Sequence, residues 1–522
     1  MSDRRSRIDA LASLPIHPLL AAAYPVVYLF AANAAEQVTL DPLWRPLALS
    51  IGGAAVLLAV LTVLVRDWWR AALLTTVAVI GFFGYGHAWN AAAGIIDSQW
   101  PLIGAWVLLI GIGFYGAWRS GRFARPLARG LNLVAALALL LNGWSVAGTM
   151  VAFGASHAVD PGLNDLTLDP PDPNDLPDVY YIILDRYAGS TALRDVYDFD
   201  NEPFLTALEA KGFQVARHAH ANYIKTPLSL GSSLNLAPLE PDVLRAEAES
   251  GKDREPIHRV LRDHLAVPTA LKELGYQYIH IGNWWTPTAT NVDADRVFHY
   301  SGQDEFSTVL GQTTLLRAFN EPEAAPTDPW DWRVLREHTL YGLEKLGEVP
   351  ALPGPKFVFA HILLPHDPYV FNADGTYTGR AQVQELGQPE SYRRQLSYGN
   401  SRMLDIVDRI IAGSGDDAVI MIQADEGPFP ARYRADEWGF EWRDATDAEL
   451  EEKFGILFAM RVPGADLDAA GFHDTITPVN TFRVIFNARF GTDLPLLPDR
   501  SFAHEDLYHF YDFFEITDRL RH

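Results

Sequence analysis

The 522-residue sequence contains no cysteine. Disulfide-bonded scaffolds, zinc fingers, iron–sulfur clusters and thiol nucleophiles are therefore excluded, because each of them needs a cysteine sulfur. No covalent or redox chemistry of this protein depends on a thiol.

Positive charge is also scarce. The chain has 42 Lys+Arg against 65 Asp+Glu, a net charge of −23, which excludes a typical basic nucleic-acid-binding protein. Residues 1–153 contain no lysine, and their 10 arginines against 6 acidic residues leave +4 there and −27 in the remainder. The length suggests two or three domains, and the uneven charge indicates that they serve two different environments.

The first 153 residues contain five apolar stretches long enough to cross a bilayer, at 17–35, 46–65, 71–89, 102–118 and 131–153. A crossing needs about 20 apolar residues for about 30 Å of hydrocarbon. Arginines cluster before the first stretch, after the second and after the fourth. By the positive-inside rule the N-terminus is cytoplasmic, and five crossings place the C-terminal domain outside the cytoplasm. The sequence thus predicts a multi-pass inner-membrane protein of bacterial type with a periplasmic or extracellular domain.

The first stretch has an alternative interpretation. Basic residues, an apolar run and Ala-Asn-Ala near 32–35 also form the pattern of a cleaved signal peptide, which would leave four spans and the same orientation. Residues 154–178 are rich in proline and aspartate, and they predict an extended linker to a globular domain at 179–522.

From residue 179 onward, short apolar runs alternate with helical stretches. The runs at 179–184, 276–281, 356–363, 418–423 and 454–462 are apolar almost throughout, which is typical of strands in a parallel sheet covered on both faces. The stretch 391–413 has helical spacing and ends on a glycine. We therefore predict an α/β domain with a mostly parallel sheet.

Acidic residues follow two of these runs: Asp185 follows the first, and Asp425 and Glu426 follow the fourth. Because ligands gather at the carboxyl ends of strands in open α/β sheets, these carboxylates are candidate ligands of a divalent cation. Thr226 precedes a proline and is predicted to cap a helix, whose free N–H groups attract a phosphoryl group. A cation shared with Thr226 would lower the pKa of its hydroxyl and polarise a substrate oxygen.

Each of these residues also has a purely structural interpretation. Thr-Pro often starts a helix, an aspartate at a strand end often belongs to a turn, and Pro-His-Asp-Pro at 365–368 is also the pattern of a rigid turn. Lys225, beside Thr226, is either a phosphate-binding residue or a surface lysine. His361 lies inside an apolar run, and we expect it to pack in the core.

The order of the motifs resembles that of the alkaline phosphatase superfamily. The order is a strand followed by Asp185, Thr226 at a helix start, Pro-His-x-Pro with His366, and a strand followed by Asp425-x-Gly. In particular it resembles the sulfatase-like membrane branch with lipoteichoic acid synthases and phosphoethanolamine transferases, which also place five membrane helices before an extracytoplasmic α/β domain. The resemblance implies that Asp185 and Asp425 bind the metal, that Thr226 is the nucleophile, and that His366 binds substrate or donates a proton.

The chain departs from this family at one position. The family has Asp-His-Gly, with the histidine on the metal, where this chain has Asp425, Glu426 and Gly427. The predicted shell of Asp185, Thr226, Asp425 and Glu426 is all oxygen, which suits Mn²⁺ or Mg²⁺. The formylglycine motif of true sulfatases is absent around Thr226, which argues against sulfate-ester hydrolysis by that chemistry.

These features predict a metal-dependent transferase at the outer face of the membrane. It would move a phosphoryl head group from a phospholipid donor to a glycolipid or polysaccharide acceptor, with Lys225 and His366 contacting the substrate. Phosphodiester hydrolysis in the same site is an alternative. A degenerate family member that binds a glycan or a protein partner is another, favoured by Glu426 and by the acidic outer domain. No nucleic-acid partner is expected.

Overall fold

The structure is a computed structural model of the chain. It describes residues 14–33, 40–92, 95–96, 98–153, 166–170, 176–248, 250–262, 264–300, 305–319 and 332–520. The N-terminal arginines and most of the predicted linker 154–178 lie outside the described residues. The chain divides into two compact units, Met1–Ala155 with Gln303–Asp331, and Ser156–Gly302 with Trp332–His522.

The helices and strands alternate along the second unit, whereas the first unit is helical. The helices are α1 (His17–Ala32), α2 (Asp41–Val65), α3 (Trp68–Ala92), α4 (Gln99–Arg119), α5 (Ala124–Phe153), α6 (Ser190–Asp195), α7 (Glu202–Glu209), α8 (Thr226–Leu234), α9 (Pro241–Glu247), α10 (Glu255–Arg262), α11 (Ala266–Glu273), α12 (Glu305–Thr313), α13 (Trp332–Glu348), α14 (Arg380–Leu386), α15 (Gln388–Ser414), α16 (Ala431–Ala435), α17 (Asp447–Phe454), α18 (Thr481–Arg489) and α19 (Thr517–Leu520). The strands are β1 (Val179–Leu184), β2 (Gln214–Val215), β3 (Gln277–Ile281), β4 (Arg296–Phe298), β5 (Lys356–Ile362), β6 (Val419–Gln423), β7 (Phe458–Arg461), β8 (Phe502–His504) and β9 (Phe513–Glu515).

The apolar helices α1 to α5 form most of the first unit. Within the described residues, four segments are long and apolar enough to cross a membrane: Pro42–Val65, Trp68–Ala92, Gln99–Arg119 and Gly121–Gly148. The helix α1 is apolar but has only 16 residues, so its length does not confirm the predicted fifth crossing. The α2–α3 and α4–α5 loops lie at the same end of the unit, because the Arg125 guanidinium is 5.6 Å from the ring of Trp69.

A segment from the C-terminal part of the sequence belongs to this first unit. The 305–319 segment contains α12, and its Phe306 side chain is buried with the ring 5.6 Å from that of Phe30. Arg317 donates a hydrogen bond to Asn90 Oδ1 at 2.8 Å. Asn90 is about 30 Å along α3 from the arginine-rich loops. The 305–319 segment therefore packs at the opposite end of the unit, a position that the sequence analysis did not anticipate.

Seven strands form the main sheet of the second unit, in the order β2-β7-β6-β1-β5-β3-β4. The strand β1 pairs in parallel with β5 and β6, and β3 pairs in parallel with β5 and β4. Every residue of β1, β5 and β6 is buried, as the apolar runs predict for strands covered on both faces. The predicted α/β domain with a mostly parallel sheet is confirmed. The run 454–462 forms the short strand β7, which is antiparallel to its neighbours.

Candidate active site

The predicted site residues follow adjacent strands of the sheet. The strands β6, β1 and β5 are neighbours and run in parallel, so their carboxyl ends lie side by side. Asp185 directly follows β1, and Asp425 follows β6. The topology thus explains why carboxylates that are far apart in the sequence meet at one edge of the sheet.

Asp185, His361 and Asp425 form a buried group, here called the Asp-His-Asp group, whose ligand atoms lie within 4.8 Å of one another. Among the described residues, Asp185 Oδ1, His361 Nε2 and both Asp425 oxygens are buried without a hydrogen bond of regular geometry. An unpaired buried polar atom costs about 1–3 kcal/mol, so such atoms are rare in folded proteins. Such atoms on three residues whose ligand atoms lie within 4.8 Å of one another fit a cation as their common partner.

The ring of His361 is held in place by two polar side chains. Its Nδ1 lies 2.8 Å from the Thr288 hydroxyl and 3.0 Å from the side-chain nitrogen of Asn283. Asn283 also donates to the His361 carbonyl at 2.9 Å. Metal-bound histidines commonly use one ring nitrogen for the metal and the other for such an outer partner. His361 is buried as expected, but its contacts make it a candidate ligand through Nε2 and not only a packing residue.

The two aspartates have opposite pKa shifts. Burial raises the pKa of Asp425 well above its usual value, and the carboxylates of Asp185 and Glu426 raise it further. Burial also raises the pKa of Asp185, but His366, a second imidazole and Arg186 lower it, so that it lies below its usual range. Without a cation, one carboxyl of this pair is therefore ionised and the other tends to keep its proton. A divalent cation would remove the repulsion between them.

Thr226 is the first residue of α8, and Lys225 occupies the N-cap position. The prediction that Thr226 itself caps the helix is wrong by one residue, and Lys225 makes no side-chain capping hydrogen bond. The Thr226 hydroxyl instead contacts Asp425, whose pKa it lowers. In the first turn of α8, Pro227 has no N–H and the N–H groups of Leu228 and Ser229 donate to the Lys225 carbonyl, so the positive end of the helix acts on an anion mainly through its dipole.

Glu426 lies beside the Asp-His-Asp group without belonging to it. Its Oε1 is 2.9 Å from the Lys453 ammonium and 3.5 Å from the Arg186 guanidinium. Burial lowers the pKa of Lys453 to about 8, although the Glu426 carboxylate acts in the opposite direction. Glu426 is therefore the counter-ion of two cations. Its Oε2 is buried and unpartnered among the described residues, and a metal-binding role for Glu426 stays a prediction.

Arg186 connects the ends of the three central strands. It follows β1 directly, while its partners Asp367 and Glu426 follow β5 and β6. Its φ of 59° is in the left-handed region, which residues other than glycine seldom adopt. Such backbone strain is commonly retained where it positions a functional side chain. The Arg186 side chain is 20% exposed, so a ligand can reach it from solvent.

Three basic side chains surround the ring of Phe429. The ammonium groups of Lys453 and Lys225 lie 3.5 Å and 4.1 Å from the ring centroid, and the Arg186 guanidinium lies 4.6 Å from it. Burial lowers the pKa of Lys225 well below its usual value, and a bound anion would raise it again. Only Lys225 adjoins Thr226 in the sequence, so no sequence signal linked Lys453 and Arg186 to this candidate nucleophile.

His366 lies on the connection that follows β5. It is close enough to Asp185 for its imidazole to lower the pKa of that carboxyl. Burial and the Arg186 guanidinium lower the pKa of His366 itself, which favours the neutral imidazole. A neutral imidazole close to the candidate metal ligand Asp185 is suited to accept a proton and return it.

The sequence analysis missed three members of this site: His361, Arg186 and Lys453. His361 could have been found from strand pairing, because it lies opposite Ile183 in the register of β1 and β5. Side chains two residues apart on a strand point to the same face, so Asp185 lies on the same face as Ile183 and His361. Lys453 lies on α17, and nothing in the sequence indicates that α17 reaches the end of β6.

No family model and no curated protein matches the sequence. Among solved structures, the chain is similar to the C-terminal periplasmic domain of EptC from Escherichia coli in complex with zinc, with 13% identity over 67% of this chain and 96% of that chain and a TM-score of 0.43. A protein in the alkaline phosphatase superfamily from Vibrio parahaemolyticus has 12% identity, coverages of 68% and 80%, and a TM-score of 0.41. Lipooligosaccharide phosphoethanolamine transferase A from Neisseria meningitidis, an integral membrane protein, has 13% identity, coverages of 89% and 94%, and a TM-score of 0.38. Each of these similarities is one of fold.

Proposed function

We propose that the protein is a metal-dependent transferase that moves a phosphoryl head group by way of Thr226. One observation carries this proposal. Thr226 is the first residue of a helix, and its hydroxyl contacts Asp425 of the Asp-His-Asp group. Four buried side-chain atoms of that group lack a hydrogen bond of regular geometry. A hydroxyl beside a cation site and at a helix N-terminus has the surroundings needed to attack a phosphorus atom.

The proposed ligands of a single divalent cation are Asp185, His361, Asp425 and the Thr226 hydroxyl. When bound, the cation would lower the pKa of the hydroxyl and stabilise negative charge on the phosphate oxygens. The expectation of Mn²⁺ or Mg²⁺ depended on an all-oxygen shell, and His361 adds an imidazole to it. Imidazole suits Zn²⁺ better than Mg²⁺, whereas carboxylates suit Mn²⁺. We therefore expect the site to accept Zn²⁺ as well as Mn²⁺.

The proposed reaction has two half-reactions. In the first, Thr226 Oγ1 bonds to the phosphorus of a phospholipid head group and the bond from phosphorus to the lipid oxygen breaks. His366 accepts the threonine proton and returns it to the departing lipid oxygen. In the second, an acceptor hydroxyl attacks the phosphothreonine, and its proton passes through His366 to Thr226. The acceptor thus gains the head group, and the threonine is regenerated.

Arg186, Lys225 and Lys453 supply the positive charge that a phosphate needs. Arg186 is the one suited to bind it directly, because its partly exposed fork can contact two phosphate oxygens. Lys453 is fully buried and pairs with Glu426, so it acts on the site through its charge.

A lipid donor is consistent with the membrane unit. We propose five crossings, with α1 as a short first one, the N-terminus in the cytoplasm and residues 179–522 on the other side. The arginine-rich loops at one end of the unit support this orientation, because arginines favour the cytoplasmic side. The 305–319 segment, which the C-terminal part of the chain supplies, packs at the opposite end. The proposed acceptor, a glycolipid or polysaccharide, would be met on that outer side.

The test uses the full-length protein in vesicles of phospholipid with a radiolabelled head group. We expect a labelled adduct on Thr226 that Thr226→Ser retains and Thr226→Ala loses. Ser232→Ala is the matched control, because it removes a buried hydroxyl that bonds only within the same helix. Release of free head group without an acceptor would identify a hydrolase. Absence of any adduct in the metal-loaded protein would refute the proposal and leave a binding protein.

A further inference from the structure

The membrane unit contains a cavity that the proposed reaction does not use. It has a volume of about 530 Å³ and is lined by α1, α3 and α5 together with Thr313 of the 305–319 segment. Tyr28, Ile80 and Val134 line it and are nevertheless exposed. The cavity is therefore a groove with one side open between the helices, and the hydrocarbon of a bilayer would reach it directly.

The groove extends along the helices for about the depth of one leaflet. Its lining runs from His17 to Leu29 on α1 and, over eleven residues, from Thr76 to His87 on α3. An eleven-residue rise along a helix is about 16 Å, roughly half of the ~30 Å hydrocarbon core. The groove is therefore as long as the hydrocarbon part of one leaflet is thick, and it does not extend across the whole membrane.

The groove lies toward the end of the unit that carries the 305–319 segment. Its floor is the polar pair of His17 Nδ1 and Thr76 Oγ1, 2.6 Å apart. Thr76 is already about 12 Å inside α3, counted from Trp68. The other end of the groove is at His87 and Thr313, near the outer end of α3. In the orientation proposed above, the groove occupies the outer leaflet.

Apart from its polar ends, the groove is lined by apolar and aromatic side chains, with Leu131, Ala135 and Ala138 of α5 on one wall. Apolar cavities do not hold water, and an empty one loses the dispersion contacts of its lining. In a bilayer the molecules at this depth are lipid chains. The length, the lining and the open side all fit one extended hydrocarbon chain.

The outer end of the groove is fixed by a close contact. A Cβ atom on Gly86 would lie only 2.0 Å from the backbone oxygen of Gln312, so α12 approaches α3 backbone to backbone. Leu310 on the same helix is buried against the membrane helices. This contact holds Thr313 at the outer end of the groove.

We propose that this groove binds one acyl chain of an outer-leaflet phospholipid, with the head group of that lipid at the 305–319 segment. The inference deepens the proposed function, on which it rests for the orientation that puts the groove in the outer leaflet and for the claim that the bound lipid is the donor. Lipid binding itself depends on the groove alone.

The experiment uses the full-length protein in vesicles of phosphatidylethanolamine and phosphatidylglycerol, doped with a phosphatidylethanolamine whose acyl chain carries a diazirine. After irradiation, we expect cross-linked peptides from the α1 and α5 walls of the groove. Ala138→Trp should lower the yield about tenfold, as the lost contacts of about two methylenes would. Leu137→Trp is the matched control, because Leu137 is the neighbouring residue, is 51% exposed and does not line the groove. Ala135→Val fills less of the groove and should give an intermediate cross-linking yield. It keeps the inference testable if Ala138→Trp fails to fold.

Equal yields in Ala138→Trp and the unchanged protein, or cross-links spread evenly over exposed Leu137 and Leu140, would overturn the inference. Absence of groove cross-links in a protein that a separate amine-reactive cross-linker shows to be dimeric would mean that a second copy covers the groove, with the same consequence. The Thr226 adduct is measured in the same samples. Groove-specific cross-linking without an adduct would refute the proposed function alone, and an adduct without groove-specific cross-linking would refute the groove alone.

Discussion

The Nε2 atom of His361 lies 3.3 Å from Oδ2 of Asp185, which directly follows the neighbouring strand β1. In the motif that this chain resembles, the metal-binding histidine directly follows the second aspartate, and here Glu426 takes that place. Glu426 pairs with Lys453 and Arg186 instead. The site therefore still combines two carboxylates, one imidazole and one hydroxyl, but its imidazole comes from inside β5.

Metal content distinguishes the roles of these two residues. We expect His361→Ala to weaken binding of Zn²⁺ or Mn²⁺ by more than the about 10–100-fold typical of outer-shell substitutions, because it removes a ligand. Glu426→Gln should retain the metal. Elemental analysis after dialysis and titration calorimetry measure both. His280→Ala, at another buried histidine on the adjacent strand β3, is the control. Metal loss in Glu426→Gln but not in His361→Ala would reverse the assignment.

The stability of Thr226→Ala tests whether this residue has a structural role. Because Lys225 and not Thr226 is the N-cap residue, the substitution should change the free energy of unfolding by less than the ~1 kcal/mol of a lost cap. Turnover should nevertheless be abolished. Denaturant unfolding and head-group transfer are measured on the same preparation. Normal turnover in Thr226→Ala would exclude Thr226 as the nucleophile.

Glu426 should contribute strongly to stability. Removing it leaves the fully buried Lys453 without its carboxylate, and breaking a buried pair typically costs about 3–5 kcal/mol. Glu426→Ala should therefore lower the free energy of unfolding by about that amount. Glu505→Gln, which breaks the exposed pair with Arg443, should cost at most about 1 kcal/mol. Equal effects would mean that Glu426 is not a structural counter-ion.

Asp425 makes the stability of the metal-free protein depend on pH. Its pKa is raised by burial and by Asp185 and Glu426, so the folded chain binds a proton that the unfolded chain releases above about pH 3.9. The contribution of this proton to the free energy of unfolding is complete below the pKa that Asp425 has in the unfolded chain. It is lost as pH rises through the pKa that Asp425 has in the folded chain. A cation replaces the proton, so the rise in Tm on adding Zn²⁺ should grow with pH. Asp185, whose pKa is lowered, acts in the opposite sense only at lower pH. Thermal melts with and without chelator measure how Tm depends on pH in the metal-free and the metal-bound protein. Asp425→Asn should make Tm depend less on pH.

Reporter fusions test the topology. A reporter active only outside the cytoplasm should be active after His522 and silent after Arg70 or Arg125, because the arginine-rich loops favour the cytoplasmic side. Activity in the reverse pattern would place the proposed active site on the cytoplasmic side. Expression of each fusion, measured by immunoblot, is the control.

Local patterns predicted the frame of the site. An apolar run followed by an acidic residue located Asp185 and Asp425, and parallel pairing of adjacent strands brings them together. His361 was not recognised as a candidate ligand, because a histidine inside an apolar run cannot be distinguished from any other buried residue until its strand neighbours are known. Lys453 depends on where α17 packs, which is a tertiary property. The 305–319 segment has no sequence signal that separates it from the surrounding α/β domain.

Because the 305–319 segment belongs to the membrane unit, the chain passes between the two units three times, at 155–156, 302–303 and 331–332. After a protease cut in the 154–178 region, the C-terminal part would therefore stay attached through the noncovalent packing of the 305–319 segment, to which the peptide links at 302–303 and 331–332 join it. A secreted version that begins at residue 179 would carry Phe306 and Leu310 away from the helices that bury them. Such an exposed apolar helix invites aggregation. Soluble expression should therefore improve when residues 303–331 are replaced by a flexible Gly/Ser linker.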